Sequence, residues 1–527
     1  MNIRTLTLLL LSFILSSAIT AQHQNVMISN SNSPEEPSIY IDPNNTDRMV
    51  AGANIYNVFT SEDGGLTWNV GLLYSATNGV WGDPVTIVDN DGNFLYFHLS
   101  NPPAGNWIDR IVCQKSTDGG LTWNDGSYMG LNGDKAQDKH WVVIDRENEN
   151  IYSTWTQFDD YGSSNPNDRS NILFSKSTDG GDSWSPALRI NEIDGDCIDS
   201  DNTTEGAVPA VGPNGEIYVS WAGPEGIVFD RSLDYGETWL ENDIFVSDFP
   251  GGWDYDIPGI NRCNGLPITV CDLSGGENHG TIYINWSDQR NGVDDTDVWL
   301  VKSTDGGDTW SVPLRVNDDG DGIGPGKQQF FTWMAIDQVT GYLHFVFYDR
   351  RAYDDNNTDV YMAFTKDGGQ TFTNYKVSEE PFLPNGNVFF GDYNNLSAHD
   401  NVVRPIWTRL QNGNLSVWTA MIDPLITEVS EMPQQEGIPF ALEQNYPNPF
   451  SESTYFSFKL RKTSVVTLTI ADMYGSEITR LINNEKMIAG KYFEHFNASD
   501  YDLPSGVYYF SLIGNNVNQV RKMVIER

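Results

Sequence analysis

The octapeptide Ser116–Trp123, STDGGLTW, recurs five more times along the chain. It reads SEDGGLTW at Ser61–Trp68, STDGGDSW at Ser177–Trp184, SLDYGETW at Ser232–Trp239, STDGGDTW at Ser303–Trp310 and TKDGGQTF at Thr365–Phe372. The shared form is Ser/Thr-x-Asp-x-Gly-x-Thr/Ser-aromatic, which is the chemistry of a hairpin turn. The Asp carboxylate accepts hydrogen bonds from backbone N–H groups a few residues on. The Gly supplies a positive φ, and the aromatic opens the next strand and packs into the core. Six copies at intervals of roughly 55 to 70 residues fit the blades of an all-β propeller.

A four-strand unit can be read around each copy. An inner strand such as Trp141–Asp145 is followed by a short turn, a second strand Ile151–Trp155, a variable loop, a third strand Ile172–Lys176, the octapeptide, and a fourth strand ending at Leu188–Asn191. Inner strands recur near Ser38–Asp42, Val85–Asp89, Val208–Gly212, Ile268–Asp272 and Trp333–Asp337. Gly391–Ile422 adds three strand-like runs without an octapeptide, and Asn25–Ser29 resembles a fourth strand without its blade. The sequence therefore predicts seven blades, closed by the N-terminal strand so that two sheet edges disappear. Six blades with an extension is the alternative.

The octapeptide resembles the Asp-box, or bacterial neuraminidase repeat, of sialidases and their relatives. The resemblance spans residues 22–425 and implies a sialidase-like β-propeller in which the box is a structural turn away from the catalytic centre. That family's chemistry needs three Arg to clamp a substrate carboxylate, a Tyr nucleophile and an Asp acid/base. Here the Arg-Ile-Pro signature is missing; the corresponding strand reads Pro37-Ser38-Ile39-Tyr40-Ile41-Asp42.

The C-terminal part is different in character. After a polar linker, 426–438, comes Phe440-Ala441-Leu442-Glu443-Gln444-Asn445-Tyr446-Pro447-Asn448-Pro449-Phe450. Further on lie an Asp472-Met473-Tyr474-Gly475 turn, the run Leu503–Tyr509 and Arg521-Lys522-Met523-Val524. Residues 439–527 thus resemble the type A sorting domain of the type IX secretion system of Bacteroidetes. The resemblance implies a small Ig-like β-sandwich read by the outer-membrane export machinery, with the cargo released or attached at the cell surface.

Composition narrows the partners. The 527 residues carry 72 Asp+Glu against 31 Lys+Arg, a net charge of −41. Nucleic acid is excluded as a partner, because phosphate contacts need a Lys/Arg excess, and anionic membranes are disfavoured likewise. The N-terminus, with Arg4, the apolar run Leu6–Leu15 and small residues to Ala21, has the form of a signal peptide, residues 1–21. No later run is apolar enough to span a bilayer. Four Cys in an exported chain allow two disulfides. The preferred pair is Cys197 with Cys263, both in polar loops; Cys263–Cys271 is the rival.

Sites concentrate on long loops over a rigid scaffold. The long loops here are Ser100–Asp109, Phe158–Arg169, Glu192–Glu205, Ser247–Leu266, Ser287–Asp297, Asn317–Gln328 and Asp349–Asp359. All are expected on the face opposite the octapeptides. The starts of inner strands and the ends of second strands should ring a central mouth there. Candidate catalytic residues are Asp83, Arg290, Arg350, Tyr393 and Arg409. Candidate substrate-binding residues are His140, Trp141, Glu205, Asp288, Asp349 and Asp392, with Asp138 and Lys139 in the same ring. Carboxylates, Arg and aromatic faces together suit a carbohydrate. Two acidic loops, with Asp194, Asp196, Asp199 and Asp201 in one and Asp318, Asp319 and Asp321 in the other, are candidate Ca²⁺ sites. The expected function is an exported propeller that acts on or binds glycans or glycoconjugates. An exo-acting glycoside hydrolase and a noncatalytic carbohydrate- or protein-binding adhesion module both remain open.

Overall fold

A computed structural model describes residues 23–422, except 201 and 321–326, and most of 440–525, omitting 443–444, 446–447, 449, 452, 461, 472–475, 489, 502 and 515–516. The expected signal segment, the 426–438 linker, Asp201 and Asp321 lie outside the described residues. The chain divides into two units, 1–427 and 428–527.

The first unit is a β-propeller whose described residues form seven four-stranded antiparallel sheets. The first sheet runs Ser38–Ile41, Met49–Ala53, Asn57–Ser61, Asn69–Leu72, in spatial order equal to chain order. The next five sheets open with Val85–Val88, Ala136–Ile144, Glu205–Val211, Ile268–Cys271 and Gln329–Asp337. The seventh holds Asn395–His399, Val402–Gln411 and Asn414–Ala420, and its fourth strand is Asn25–Ser29 from the other end of the unit. Each opening strand packs beside the opening strand of the next sheet, and the seventh returns to the first, so the ring closes. Alternating Val, Ile, Phe and Trp on both faces of these strands are buried between neighbouring sheets, as a sheet covered on both sides requires.

Every octapeptide adopts one hydrogen-bonded form. In the first, Ser61 Oγ donates to Asp63 Oδ1 at 2.9 Å and accepts from Gly65 N at 2.9 Å. The Asp63 carboxylate then accepts from Thr67 N at 2.9 Å and Thr67 Oγ1 at 2.6 Å. The second glycine also needs the absence of a side chain: a Cβ on Gly307, at φ +77° to +95° with Gly306, would lie 2.3 Å from Phe229 of the preceding sheet. The turn therefore joins sheets as well as strands. The residue just before it, Lys115, Lys176, Arg231 or Lys302, donates to the carbonyl of the fourth position of the next octapeptide. Arg404 closes the ring in the same way on Gly64 O at 2.7 Å. The terminal aromatics add edge-on packing, as Trp239 does on Phe174 at 5.0 Å and Trp310 on Phe229 at 5.1 Å.

The second unit is a two-sheet sandwich. A three-stranded sheet, Phe440–Leu442, Ser453–Leu460 and Gly490–Asn497, faces a four-stranded one ordered Glu477–Met487, Ser464–Ala471, Gly506–Gly514, Val517–Ile525. Phe456, Phe458, Leu468, Phe510, Leu512 and Met523 fill its core. Among the described residues no helix is long and apolar enough to cross a membrane.

The four cysteines correct the sequence expectation. Cys113, Cys197, Cys263 and Cys271 are all buried free thiols, and Cys197 and Cys263 are not bridged. Cys263 sits against Tyr255 and Cys197 near Asp159 and Asp160, so each is packed into its own surroundings.

Candidate functional site

The site begins with a backbone peculiarity. Two residues before the packed start of an opening strand, the chain is left-handed in five of the seven sheets: Glu36 (φ 50°), Asp83 (φ 51°), Lys139 (φ 47°), Gly206 (φ 78°) and Phe331 (φ 49°). In the third, fourth and sixth sheets the ladder register slips at the same place, between Asp138 and Trp141, Glu205 and Val208, and Phe330 and Trp333. A non-Gly residue held at positive φ costs roughly 1–2 kcal/mol and marks a functional or over-determined position. The bulge breaks the in–out alternation. Here it brings three charged side chains from three sheets together at one end of the ring.

Lys139 is their centre. Its Nζ lies 3.2 Å from Asp83 Oδ2, 2.8 Å from Asp392 Oδ2 and 4.0 Å from Glu36 Oε1. Asp392 also grips Arg262 through both carboxylate oxygens, with Arg262 Nε at 2.9 Å. Arg262 Nη1 donates to Asp199 Oδ2 at 3.0 Å, and that carboxylate accepts from Tyr161 OH at 2.7 Å and Trp253 Nε1 at 3.2 Å. Asn54 ties the acidic side together: its amide donates to Glu36 and its carbonyl accepts from Asp83 N at 2.6 Å. Glu36 Oε1 accepts from Asp392 N at 2.9 Å. Below this layer Trp141, Trp333 and Tyr393 close the channel, with Trp141 centred 4.3 Å from Trp333 and 5.1 Å from Tyr393.

Acids outnumber bases here. Glu35, Glu36, Asp83, Asp138, Asp199, Glu205 and Asp392 interact with one another around Lys139 and Arg262. The surroundings push these groups apart. Burial is the largest influence and raises Asp392 and Asp83, but Lys139 together with Arg262 for Asp392, and together with Glu36 and His140 for Asp83, outweighs it and holds them below the usual range. Burial pushes Asp138 up to about 7 and Glu35 up to about 8. Glu205 and Glu36 are raised well above the usual range by burial and then by their carboxylate neighbours. Neither oxygen of Glu205 receives a hydrogen bond from an amide, hydroxyl or cation. His140 is buried and pushed down to about 4, so it is neutral.

The rim above is aromatic. Trp81 is 38% exposed and Trp107 45%, their rings edge to face at 6.0 Å. Trp107 in turn meets Tyr161 at 5.9 Å, which connects it to Asp199. Phe389, 37% exposed, lies across the mouth under the Arg262 guanidinium at 5.3 Å. These contacts run from loop to loop: Ser100–Asp109, Phe158–Arg169, Glu192–Glu205, Ser247–Leu266 and the segment before Asp392 share one face.

Of the residues expected from the sequence, the structure gathers Asp83, Asp138, Lys139, His140, Trp141, Glu205, Asp392 and Tyr393 around this mouth. The arginines it keeps apart. Arg290 is spent on Asp288 at 2.5 Å and lies over Trp299. Arg350 is buried and donates to Thr358 Oγ1 and Pro258 O. Arg409 reaches Glu380 at 3.5 Å and Pro381 O at 3.3 Å. Three separate sets of partners make no carboxylate clamp. Asp349 is likewise paired, to Arg351 at 2.7 Å. Tyr393 is buried and its phenol pushed well up, the reverse of an activated nucleophile.

The acidic loops are also corrected. Among the described residues no group of three His, Cys, Asp or Glu could hold a metal ion. Asp194 pairs with Arg169 and Arg189, Asp318 and Asp319 with Arg351, and Asp196 accepts from Thr203 Oγ1. Asp199 belongs to the mouth instead. The residues overlooked in the sequence are Glu35, Glu36, Arg262, Trp107, Tyr161 and Phe389. Glu36 was discoverable: aligning the strand starts places Glu36-Pro37 over Asp83-Pro84 and Lys139-His140.

Residues 444–526 match the secretion system C-terminal sorting domain. No curated protein sequence matches the chain. Among solved structures, similar chains include an α-L-arabinofuranosidase from Fusarium graminearum (15% identity, 66% of this chain and 98% of that one, TM-score 0.43). NanB sialidase from Streptococcus pneumoniae (10%, 66% and 69%, 0.43) and Trypanosoma rangeli sialidase (11%, 96% and 89%, 0.40) are others. These are loose likenesses, and the propeller is read from the sheet order itself. The sorting domain marks the chain for export by the type IX machinery, to the cell surface or outside.

Proposed function

We propose that the propeller is an exported glycan-binding module whose ligand enters the mouth between Trp81, Trp107 and Phe389. The observation that carries this reading is the exposed Trp81–Trp107 pair, Trp81 two residues before Asp83 and Trp107 packed on Tyr161, whose hydroxyl donates to Asp199. Flat aromatic faces stack on the apolar faces of sugar rings, and adjacent carboxylates accept from ring hydroxyls. Binding, rather than sialidase chemistry, follows from the pairing of every candidate arginine with its own structural partner and from the buried, unactivated Tyr393. The surplus of carboxyl groups also repels an anionic sugar.

The test is a glycan array on the purified chain, followed by titration of tryptophan fluorescence with the best ligand. Trp81→Ala and Trp107→Ala should each weaken binding about tenfold or more, in line with loss of a stacked aromatic. No bound glycan, or binding indifferent to both substitutions, would overturn the reading.

One observation favours a second reading, hydrolysis. Carboxyls held down (Asp83, Asp392) lie in one cluster with carboxyls pushed up (Asp138 to about 7, Glu205 well above its usual range), which is the division of labour of a base or nucleophile and an acid. Release of nitrophenol from a panel of nitrophenyl glycosides, lost in Asp83→Asn, would support it.

A further inference from the structure

We propose that the mouth selects ligands carrying a free ammonium group, so that the glycan it binds is an amino sugar with an unacetylated amine. This deepens the glycan-binding reading and rests on it.

Two independent features point the same way. The first is charge: among the described residues seven carboxyl groups meet only two cations at the mouth, and both cations are already engaged. Lys139 is held by Asp83 and Asp392, and Arg262 by Asp392 and Asp199. Of the remaining acids only Glu36 comes near one of them, 4.0 Å from Lys139 Nζ, and shares that cation with Asp83 and Asp392. Glu205 is wholly buried, receives no hydrogen bond on either oxygen from an amide, hydroxyl or cation, and faces the Asp199 and Asp138 carboxyls. A buried carboxyl without a donor is costly, and a cation brought to its neighbours relieves it. The second feature is the rim. Trp107 packs against Tyr161 and Phe389 against Arg262, both of which hydrogen-bond Asp199, itself partly exposed, and Trp81 extends this rim through Trp107. An ammonium over an aromatic face is attracted by the ring quadrupole, and more strongly where water is thinned. Aromatics around a carboxylate form a recognition site for organic cations, whereas a neutral or anionic sugar gains nothing from the acid surplus.

Burial raises Glu205 and Glu35 toward their protonated forms, so an arriving ammonium takes the place of a proton and that proton leaves to the buffer. The balance is a simple exchange: one cation bound, up to one proton released.

The experiment is a glycan array printed with matched pairs of free-amine and N-acetylated oligosaccharides, followed by calorimetry of the best pair at pH 6, where the amine is charged. The free-amine member should bind at least tenfold tighter. Its enthalpy should depend on the ionisation enthalpy of the buffer in the direction of proton release. Asp199→Asn and Glu205→Gln should reduce the preference to threefold or less, chiefly through lost affinity for the free-amine member. Circular dichroism and a thermal melt establish that each variant is folded. Equal affinity for both members, still lost in Trp81→Ala, would overturn the ammonium selectivity and leave the glycan reading standing. An array with no bound feature would overturn both.

Discussion

Lys139 has the least replaceable side chain of the mouth. Its ammonium is buried, and burial alone would lower its pKa, yet Asp392 and Asp83 outweigh that and hold it charged. Removing one partner from a buried ion-pair set strands the other charges. Lys139→Met should therefore cost about 3–5 kcal/mol at pH 7, read by urea denaturation. The sign with pH follows from Asp83 and Asp392, whose carboxyls are depressed in the folded protein by this lysine. Without it their pKa values rise, and protonation neutralises them, so the penalty should shrink as the pH is lowered from 7 to 5. A penalty independent of pH would mean that Lys139 acts by packing and not by charge. Residues of this kind were the hardest to read in the sequence. Glu36 looks like the solvated start of a strand, and Arg262 and Asp199 lie in irregular loops whose convergence is set by tertiary packing alone.

The octapeptide shows the opposite case, because its structure is local. Every partner of its aspartate lies within four residues, and so the turn is legible wherever Ser/Thr, Asp, Gly and Thr/Ser keep their spacing. What could not be read was that the preceding Lys or Arg reaches across to the next copy, since that contact depends on which sheet stands alongside. The turn also sets an acid limit. Asp118, Asp234, Asp305 and Asp367 have pKa values lowered to about 2, the first three chiefly by the hydroxyl and backbone N–H groups of Thr122, Thr238 and Thr309, Asp367 by those of Thr371 against its burial. A depressed carboxyl contributes stability above its unfolded pKa, near 4, and loses it as the pH falls through the folded value. The thermal midpoint should thus fall steeply between pH 4 and pH 2. In a variant carrying Asp→Asn at all four positions that segment of the profile should flatten.

On the scale of the whole molecule, ring closure depends on a single short strand. Asn25–Ser29 pairs with Asn414–Ala420 at the end of the unit, and Asn25 is further fastened to Val377 O at 2.9 Å and to Glu379. A chain begun at Ser31 would leave Asn414–Ala420 as an open edge. It should melt at a lower temperature and self-associate in sedimentation runs; an unchanged monomer would mean that the remaining three strands suffice. This closure was readable from composition of the ends, because Asn25–Ser29 lacked a blade and Gly391–Ile422 lacked a fourth strand. The charge of −41 was readable only in part. Residues 439–527 hold nine Lys+Arg and nine Asp+Glu, so the excess belongs to the rest of the chain. Some of it is turn chemistry and ion pairing, and some is gathered at the mouth, where no count could have placed it.

The left-handed bulge gives the mouth a modular character. Each sheet presents one residue at the same address, the sequence around the ring being Glu36, Asp83, Lys139, Gly206, Leu266, Phe331 and Tyr393. The address lies at the slip in pairing or ahead of the ladder, so its occupant can change while the ladder behind it stays intact. Trp253 already fills the space left open at Gly206, where a Cβ would lie 2.6 Å from its ring. A scaffold of this design can be reprogrammed slot by slot, and libraries varied at these positions with Lys139 and Gly206 kept should yield new ligand chemistries on an unaltered ring.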